Sequence, residues 1–91
     1  MDAKRVRIRG RVQGVGYRDW LAREAERFGV QGWVRNRADG SVEALVAGDA
    51  AAVAALLTAC RAGPPLARVD SIEEDFAEPP REPGFRRVPS L

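Results

Sequence analysis

Apolar residues recur along this chain with two different periods, and the switches between them outline its elements. In KRVRIRGRV (4–12), Val6, Ile8 and Val12 fall on one side and Arg5, Arg7, Arg9 and Arg11 on the other. A period of two predicts a half-buried strand. From Tyr17 to Phe28 the rhythm changes. Tyr17, Trp20, Leu21, Ala25 and Phe28 repeat at helical spacing, and Gly29 stands where a helix would stop. VQGWVRN (30–36) predicts a second strand, RADGS a turn signalled by Asp39-Gly40, and SVEALVA (41–47) a third strand with Val42, Ala44 and Val46 on one face. Asp49 is placed to cap a second helix whose stripe is Val53, Leu56, Leu57 and Cys60. AGPPLA breaks that helix, RVDSIEEDF (68–76) predicts a fourth strand, and the proline-rich tail holds a short fifth at Phe85 to Val88. There is no internal repeat and no dividing linker, so residues 1–91 are expected to form one domain.

The order is β-α-β-β-α-β. Two helices with one apolar stripe each can both be buried on one face of a mainly antiparallel sheet of four or five strands. The expected class is therefore α+β, a ferredoxin-like α/β sandwich. That fold serves many unrelated functions and names none of them.

Composition narrows the chemistry. At 45% hydrophobic and 31% charged, the chain reads as a soluble globular protein. No apolar run approaches a membrane span, and MDAKRVRIRG lacks the apolar core of a signal peptide. The single Cys60 cannot close an internal disulfide, which fits a reducing cytoplasm. Histidine is absent altogether. That removes Ser-His and Cys-His catalysis, phosphohistidine chemistry and most zinc or iron sites. Arginine, amides, carboxylates and the backbone remain. A net charge of +2 is only a weak pointer to an anionic partner.

Within IRGRVQGVGYRDW (8–20), Gly10, Gly14 and Gly16 fall between the first strand and the first helix, followed by Arg18. Glycine loses more backbone freedom on ordering than any other residue. Three together suggest a loop whose backbone must come close to something. A helix N-terminus presents unpaired N–H groups and partial positive charge, and glycines let the chain curl around an anion there. Arg18 could close such a nest with its guanidinium fork. Neither familiar phosphate motif fits. A Walker A loop needs a lysine, and Lys4 is the only one in the chain; the dinucleotide fingerprint needs glycine where Asp19 stands. Spacing alone leaves a tight strand–helix turn with no ligand equally open.

IRGRVQGVGYR is similar to the first signature of the acylphosphatases, and GWVRNRADGSVEALVAG to the second, with Gly32, Trp33, Asn36, Gly40, Val42 and Gly48 at the family's spacing. The resemblance runs from the first strand to ARVD of the fourth. It departs at Tyr17, where phenylalanine is commoner, and at Arg37, where some members have a small polar residue. The resemblance implies hydrolysis of acyl phosphates to carboxylate and phosphate. It makes the loop from Gln13 through Gly14, Val15, Gly16 and Tyr17 to Arg18 a phosphate cradle of backbone N–H groups. Arg18 becomes the phosphate-binding side chain and Asn36 the residue that orients the attacking water. Neither a metal nor any other cofactor is expected. The partner would be a small acyl phosphate, with no membrane or nucleic acid involved, and the enzyme a cytoplasmic monomer.

The other conspicuous residues have plainer readings. Asp70, Glu73, Glu74 and Asp75 lie on the fourth strand, which sits beside the first in this fold, and are placed for cross-strand ion pairs. Cys60 belongs to a core stripe, Asp19 is a charge at a helix N-terminus, and Asp39 is a turn residue. Trp20 and Trp33 read as packing residues, with Trp33 near enough to Asn36 to help wall a site. Two further classes stay open: an RNA-binding module using the arginine face, although the first strand offers no aromatics for base stacking, and a phosphate-binding regulatory domain without turnover.

Overall fold

All residues, 1–91, are described by the structure, a computed structural model. The elements are β1 (Asp2–Arg11), α1 (Tyr17–Phe28), β2 (Gln31–Asn36), β3 (Val42–Gly48), α2 (Ala50–Ala62), β4 (Arg68–Phe76) and β5 (Phe85–Arg87). The strands form one sheet in the order β4-β1-β3-β2-β5. Every neighbouring pair is antiparallel except β2 with β5, which is parallel. This is the ferredoxin-like α+β arrangement that the apolar periods predict. β1 begins earlier than its pattern suggests, because Asp2 and Ala3 continue the ladder opposite Gly48 and Ala47. β5 ends at Arg87, although the Val88 N–H still donates to the Val34 carbonyl at 3.0 Å.

Both helices cover the same face of the sheet. Val6 and Ile8 of β1, Val34 of β2, and Val42, Ala44 and Val46 of β3 meet Tyr17, Leu21 and Ala25 of α1 and Val53, Leu56, Leu57 and Cys60 of α2 in one cluster. Fully burying a side chain of this kind contributes roughly 1.5–3 kcal/mol, so the two stripes hold the layers together. Trp20 and Phe28 border this cluster, partly buried. α1 closes at Gly29, whose φ of 72° lets its N–H reach the Glu26 carbonyl while Val30 N–H reaches that of Ala25, a Schellman cap. The expectation that the Asp49 side chain caps α2 is not met. Its carboxylate is exposed and makes no capping bond, while its main-chain carbonyl accepts from Val53 N–H at 2.9 Å. The alanines at 50–52 are strong helix formers and start the helix without that help.

Gly10 also differs from its sequence reading. It lies inside β1 at a register shift against β4, with φ 132°, and a Cβ there would stand 2.2 Å from the Arg68 carbonyl oxygen. What its backbone approaches is the neighbouring strand, so only Gly14 and Gly16 belong to the loop.

The topology brings four chain segments to one end of the sheet. β1 and β2 both run antiparallel to β3, so the exit of β1, the start of α1 and the exit of β2 share that end. β5 runs alongside β2, and the chain continues until Leu91 N–H donates to the Asn36 carbonyl (3.0 Å) and the Leu91 carbonyl accepts from Ala38 N–H (2.7 Å).

Candidate active site

The start of α1 is open. Its N-cap is Gly16, with φ 79°, and no side chain caps the first turn. From Gln13 to Asp19 no main-chain N–H donates to a main-chain carbonyl; the first to do so is Trp20, to Gly16 at 3.0 Å. Unpaired amides and the helix dipole make such an end attractive to anions. Gly14 and Gly16 both lie in the left-handed region, at φ 74° and 79°, with open space where a Cβ would stand. Conformation, and not crowding, is what requires glycine there.

These residues line a pocket of about 80 Å³ with Val12, Arg18, Asp19, Asn36 and Arg87. A drug-sized ligand takes several hundred Å³, so this space suits a group of a few atoms. Arg18, in the first turn of α1, makes no ion pair. Arg11, Arg23 and Arg81 share that property but are exposed, whereas Arg18 is partly buried. Asn36 is an even-numbered position of β2, like Val34, and so faces the helix side. Its Oδ1 is buried and accepts no hydrogen bond from the protein. A buried unsatisfied acceptor costs about 1–3 kcal/mol, and such atoms call for an explanation where they occur.

The loop is tied to the β2–β3 turn by Gln13. Its Nε2 donates to the carbonyls of Arg37 (2.8 Å) and Ser41 (2.9 Å), fixing the cradle against the strand end that carries Asn36. The turn is braced by Asp39, which accepts from Ser41 Oγ (2.6 Å) and Ser41 N–H (2.9 Å). Those bonds, with Arg7 and Arg9 nearby, hold the Asp39 carboxyl down at about 2. Below the loop, Tyr17 is buried edge-on to Trp20, with ring centroids 5.3 Å apart, and its hydroxyl donates to the Cys60 carbonyl at 2.6 Å. Burial pushes the Cys60 thiol up to about 12, which leaves it a core residue without nucleophilic character. The Val15 side chain packs against the core, so only its backbone is available to the loop.

One expectation about the surroundings changes. Trp33 does not wall the pocket. As an odd-numbered residue of β2 it faces the open side of the sheet, where the Arg35 guanidinium lies 4.8 Å from its ring. Arg37 turns the same way, away from Asn36, and donates to Glu43 Oε1 at 3.0 Å. Glu43 is the hub of that face. Its side chain is 5% exposed, with Arg35 at 2.7 Å, Arg7 at 3.8 Å and Arg5 at 4.0 Å. Burial alone would raise its pKa, but the Arg35 and Arg37 hydrogen bonds outweigh that and lower it. The expected β4 pairs form at Glu73 with Arg9 (3.0 Å) and Glu74 with Lys4 (3.1 Å). Asp70 instead pairs with Arg68 of its own strand (3.3 Å), and Asp75 makes no ion pair although Arg5 stands opposite in register. A larger hollow of about 260 Å³ on this face is lined by Arg5, Arg7 and Arg9 but also by Glu43, Glu73 and Asp75, so its charges largely answer one another.

Sequence reasoning misses Glu43, the Gln13 side-chain anchor and Arg87. The signal for Glu43 is its position, a lone acid between apolar residues of β3 with arginines along the adjoining strands. Nothing local marks Arg87, which reaches the pocket only because β5 returns beside β2. There its Nη1 donates to Asp19 Oδ1. No helix is long and apolar enough to cross a membrane, and no three His, Cys, Asp or Glu side chains cluster to hold a metal ion.

Fold and pocket together define a ferredoxin-like domain with a small cradle of free amides, one free guanidinium and one free carboxamide oxygen. Comparison with known proteins makes that class specific. The acylphosphatase family profile matches residues 4–87. Over 85 residues the chain is 66% identical to an acylphosphatase of Acidiphilium cryptum, covering 93% of each chain. It is 57% identical over 86 residues to one of Rhodospirillum rubrum, covering 94% of each. The crystal structure of the acylphosphatase from Bacillus subtilis superposes with a TM-score of 0.91 at 35% identity, over 97% of this chain and 99% of that one. The chain belongs to the acylphosphatase family and is an enzyme of that class.

Proposed function

We propose that this chain hydrolyses the carboxyl–phosphate bond of acyl phosphates without a metal, and that residues 1–91 do so as a single domain. Arg18 and the amides of Gln13, Gly14, Val15, Gly16, Tyr17 and Arg18 hold the phosphoryl oxygens, and Asn36 orients the water. The observation that carries this reading is the meeting, in one small pocket, of unbonded amides, an unpaired guanidinium and the unpartnered Asn36 Oδ1.

The chemistry needs little else. Phosphoryl transfer asks mainly for positioning and charge stabilisation. Water adds to phosphorus as the bond to the carboxylate oxygen breaks, and the carboxylate leaves with the bond's electrons. Its conjugate acid has a pKa of roughly 4, so it departs without a general acid. Asn36 is no base, but its oxygen can accept one water hydrogen and turn a lone pair toward phosphorus. The water's proton passes to the phosphate formed or to solvent. The bidentate fork of Arg18 matches two phosphoryl oxygens.

Release of inorganic phosphate from acetyl phosphate tests the reaction, and exhaustive chelation tests the metal. Turnover should persist in chelator. Activity restored only by added magnesium or zinc would overturn the metal-free reading. The proposal extends to a monomer acting in the cytoplasm, supported there by the single buried Cys60. Sedimentation at working concentration checks the oligomeric state.

A further inference from the structure

Asp19 is an awkward neighbour for a phosphate. It follows Arg18 directly and lines the same small pocket. A free carboxylate there would repel an incoming dianion and compete for the Arg18 guanidinium. In the structure Asp19 Oδ1 accepts from Arg87 Nη1, and Arg18 has no carboxylate partner. Arg87 is delivered from a remote part of the chain. It is the last residue of β5, set opposite Val34 by parallel pairing with β2, and it lines the pocket too. The charged lining is then two cations and one anion; without Arg87 it would be one of each.

We propose that Arg87 is a positioning residue for phosphate binding: it draws the Asp19 carboxylate aside and neutralises it, leaving the Arg18 guanidinium free for the phosphoryl group. This inference rests on the proposed phosphate role of Arg18. The Arg87–Asp19 pair is about half exposed on both sides, and exposed pairs contribute little to stability. Its loss should therefore register in phosphate binding and leave folding intact.

The test is a double-mutant cycle read by the competitive inhibition constant of inorganic phosphate and the KM for acetyl phosphate. Arg87→Gln should raise both about five- to tenfold, with a smaller change in kcat. Arg87→Lys, which keeps the charge, should recover part of the loss. The decisive variant is Asp19→Asn in the Arg87→Gln background, which should return both constants to within about twofold of the starting protein. An unchanged phosphate constant in folded Arg87→Gln protein overturns the proposal. So does a double variant as weak as the single one, since Arg87 would then touch phosphate itself. Failure of the unaltered protein to bind phosphate at all would instead remove the reading of Arg18 on which the inference stands.

Discussion

Arg18 and the arginines gathered around Glu43 are treated in opposite ways. On the open face of the sheet, Arg5, Arg7, Arg35 and Arg37 converge on Glu43, and Arg9 on Glu73 and Asp39. At the start of α1, Arg18 is partly withdrawn from water and has no carboxylate, although Asp19 is its neighbour in sequence. A guanidinium already answered by carboxylates ties strands together. One left unanswered keeps its full attraction for an anion from outside. The number of positive charges on a face therefore says less about binding than their state of pairing.

The largest effect should come from the unpaired side. Arg18→Gln is expected to lower acetyl phosphate turnover by about 10³ or more and to weaken phosphate binding while the far-ultraviolet circular dichroism stays native. Arg18→Lys should recover little, because it keeps the charge and loses the fork. Folded Arg18→Gln protein with near-normal kinetics would erase the distinction between the two faces.

The glycines sharpen the same contrast through stability. Gly10→Ala places a Cβ 2.2 Å from the Arg68 carbonyl oxygen at φ 132°, a clash and a strained backbone worth about 2–4 kcal/mol together. Gly14→Ala meets only the conformational penalty, about 1–2 kcal/mol, since nothing lies within 4 Å of its Cβ. Urea denaturation midpoints give the ranking, and a Gly14→Ala loss as large as that at Gly10 would contradict the division between sheet and loop.

The paired side should yield smaller changes, in stability alone. Glu43→Gln removes the carboxylate that Arg35 and Arg37 share and is expected to cost about 1–3 kcal/mol, with turnover near normal because Glu43 faces away from the pocket. Acid should act in the same direction. Glu43 and Asp39 both titrate lower in the folded chain than in ordinary carboxyls, Asp39 at about 2. Unfolded carboxyls titrate near 4. The stability they add is therefore complete above about pH 5 and is lost as pH falls toward 2. Denaturation midpoints between pH 7 and pH 3 should drop more steeply for the starting protein than for Glu43→Gln.

Much of this architecture is legible in the amino-acid sequence. Periods of two in β1 and β3 and helical spacing in α1 and α2 locate those four elements, because the apolar residues of each must meet the same core, while β2, β4 and β5 are read as segments between turn signals. Gly14, Gly16, Arg18 and Asn36 are readable because glycine conformation and motif spacing are local. What escapes such reading is set by distant parts of the chain. Whether an arginine is paired depends on which strand lies beside it, so charge alone does not tell Arg18 from Arg7. Counting residues puts Trp33 near Asn36, whereas three steps along a strand reverse the face. Gly10 joins the loop glycines in sequence, yet its φ answers to β4, more than fifty residues away. The ion pair of Asp19 with Arg87 needs β5 to return beside β2.

The division of labour between Arg18 and Asn36 is tested most directly by one paired measurement: turnover of acetyl phosphate and the competitive phosphate inhibition constant, for Asn36→Ala beside Arg18→Gln. If Asn36 Oδ1 orients water and hardly touches phosphate, Asn36→Ala should lower kcat by about 10²–10³ and leave the phosphate constant nearly unchanged. Arg18→Gln should damage both. An Asn36→Ala protein that loses phosphate as severely as Arg18→Gln would place Asn36 in the cradle, and one that keeps full turnover would remove it from the reaction; either result contradicts the account.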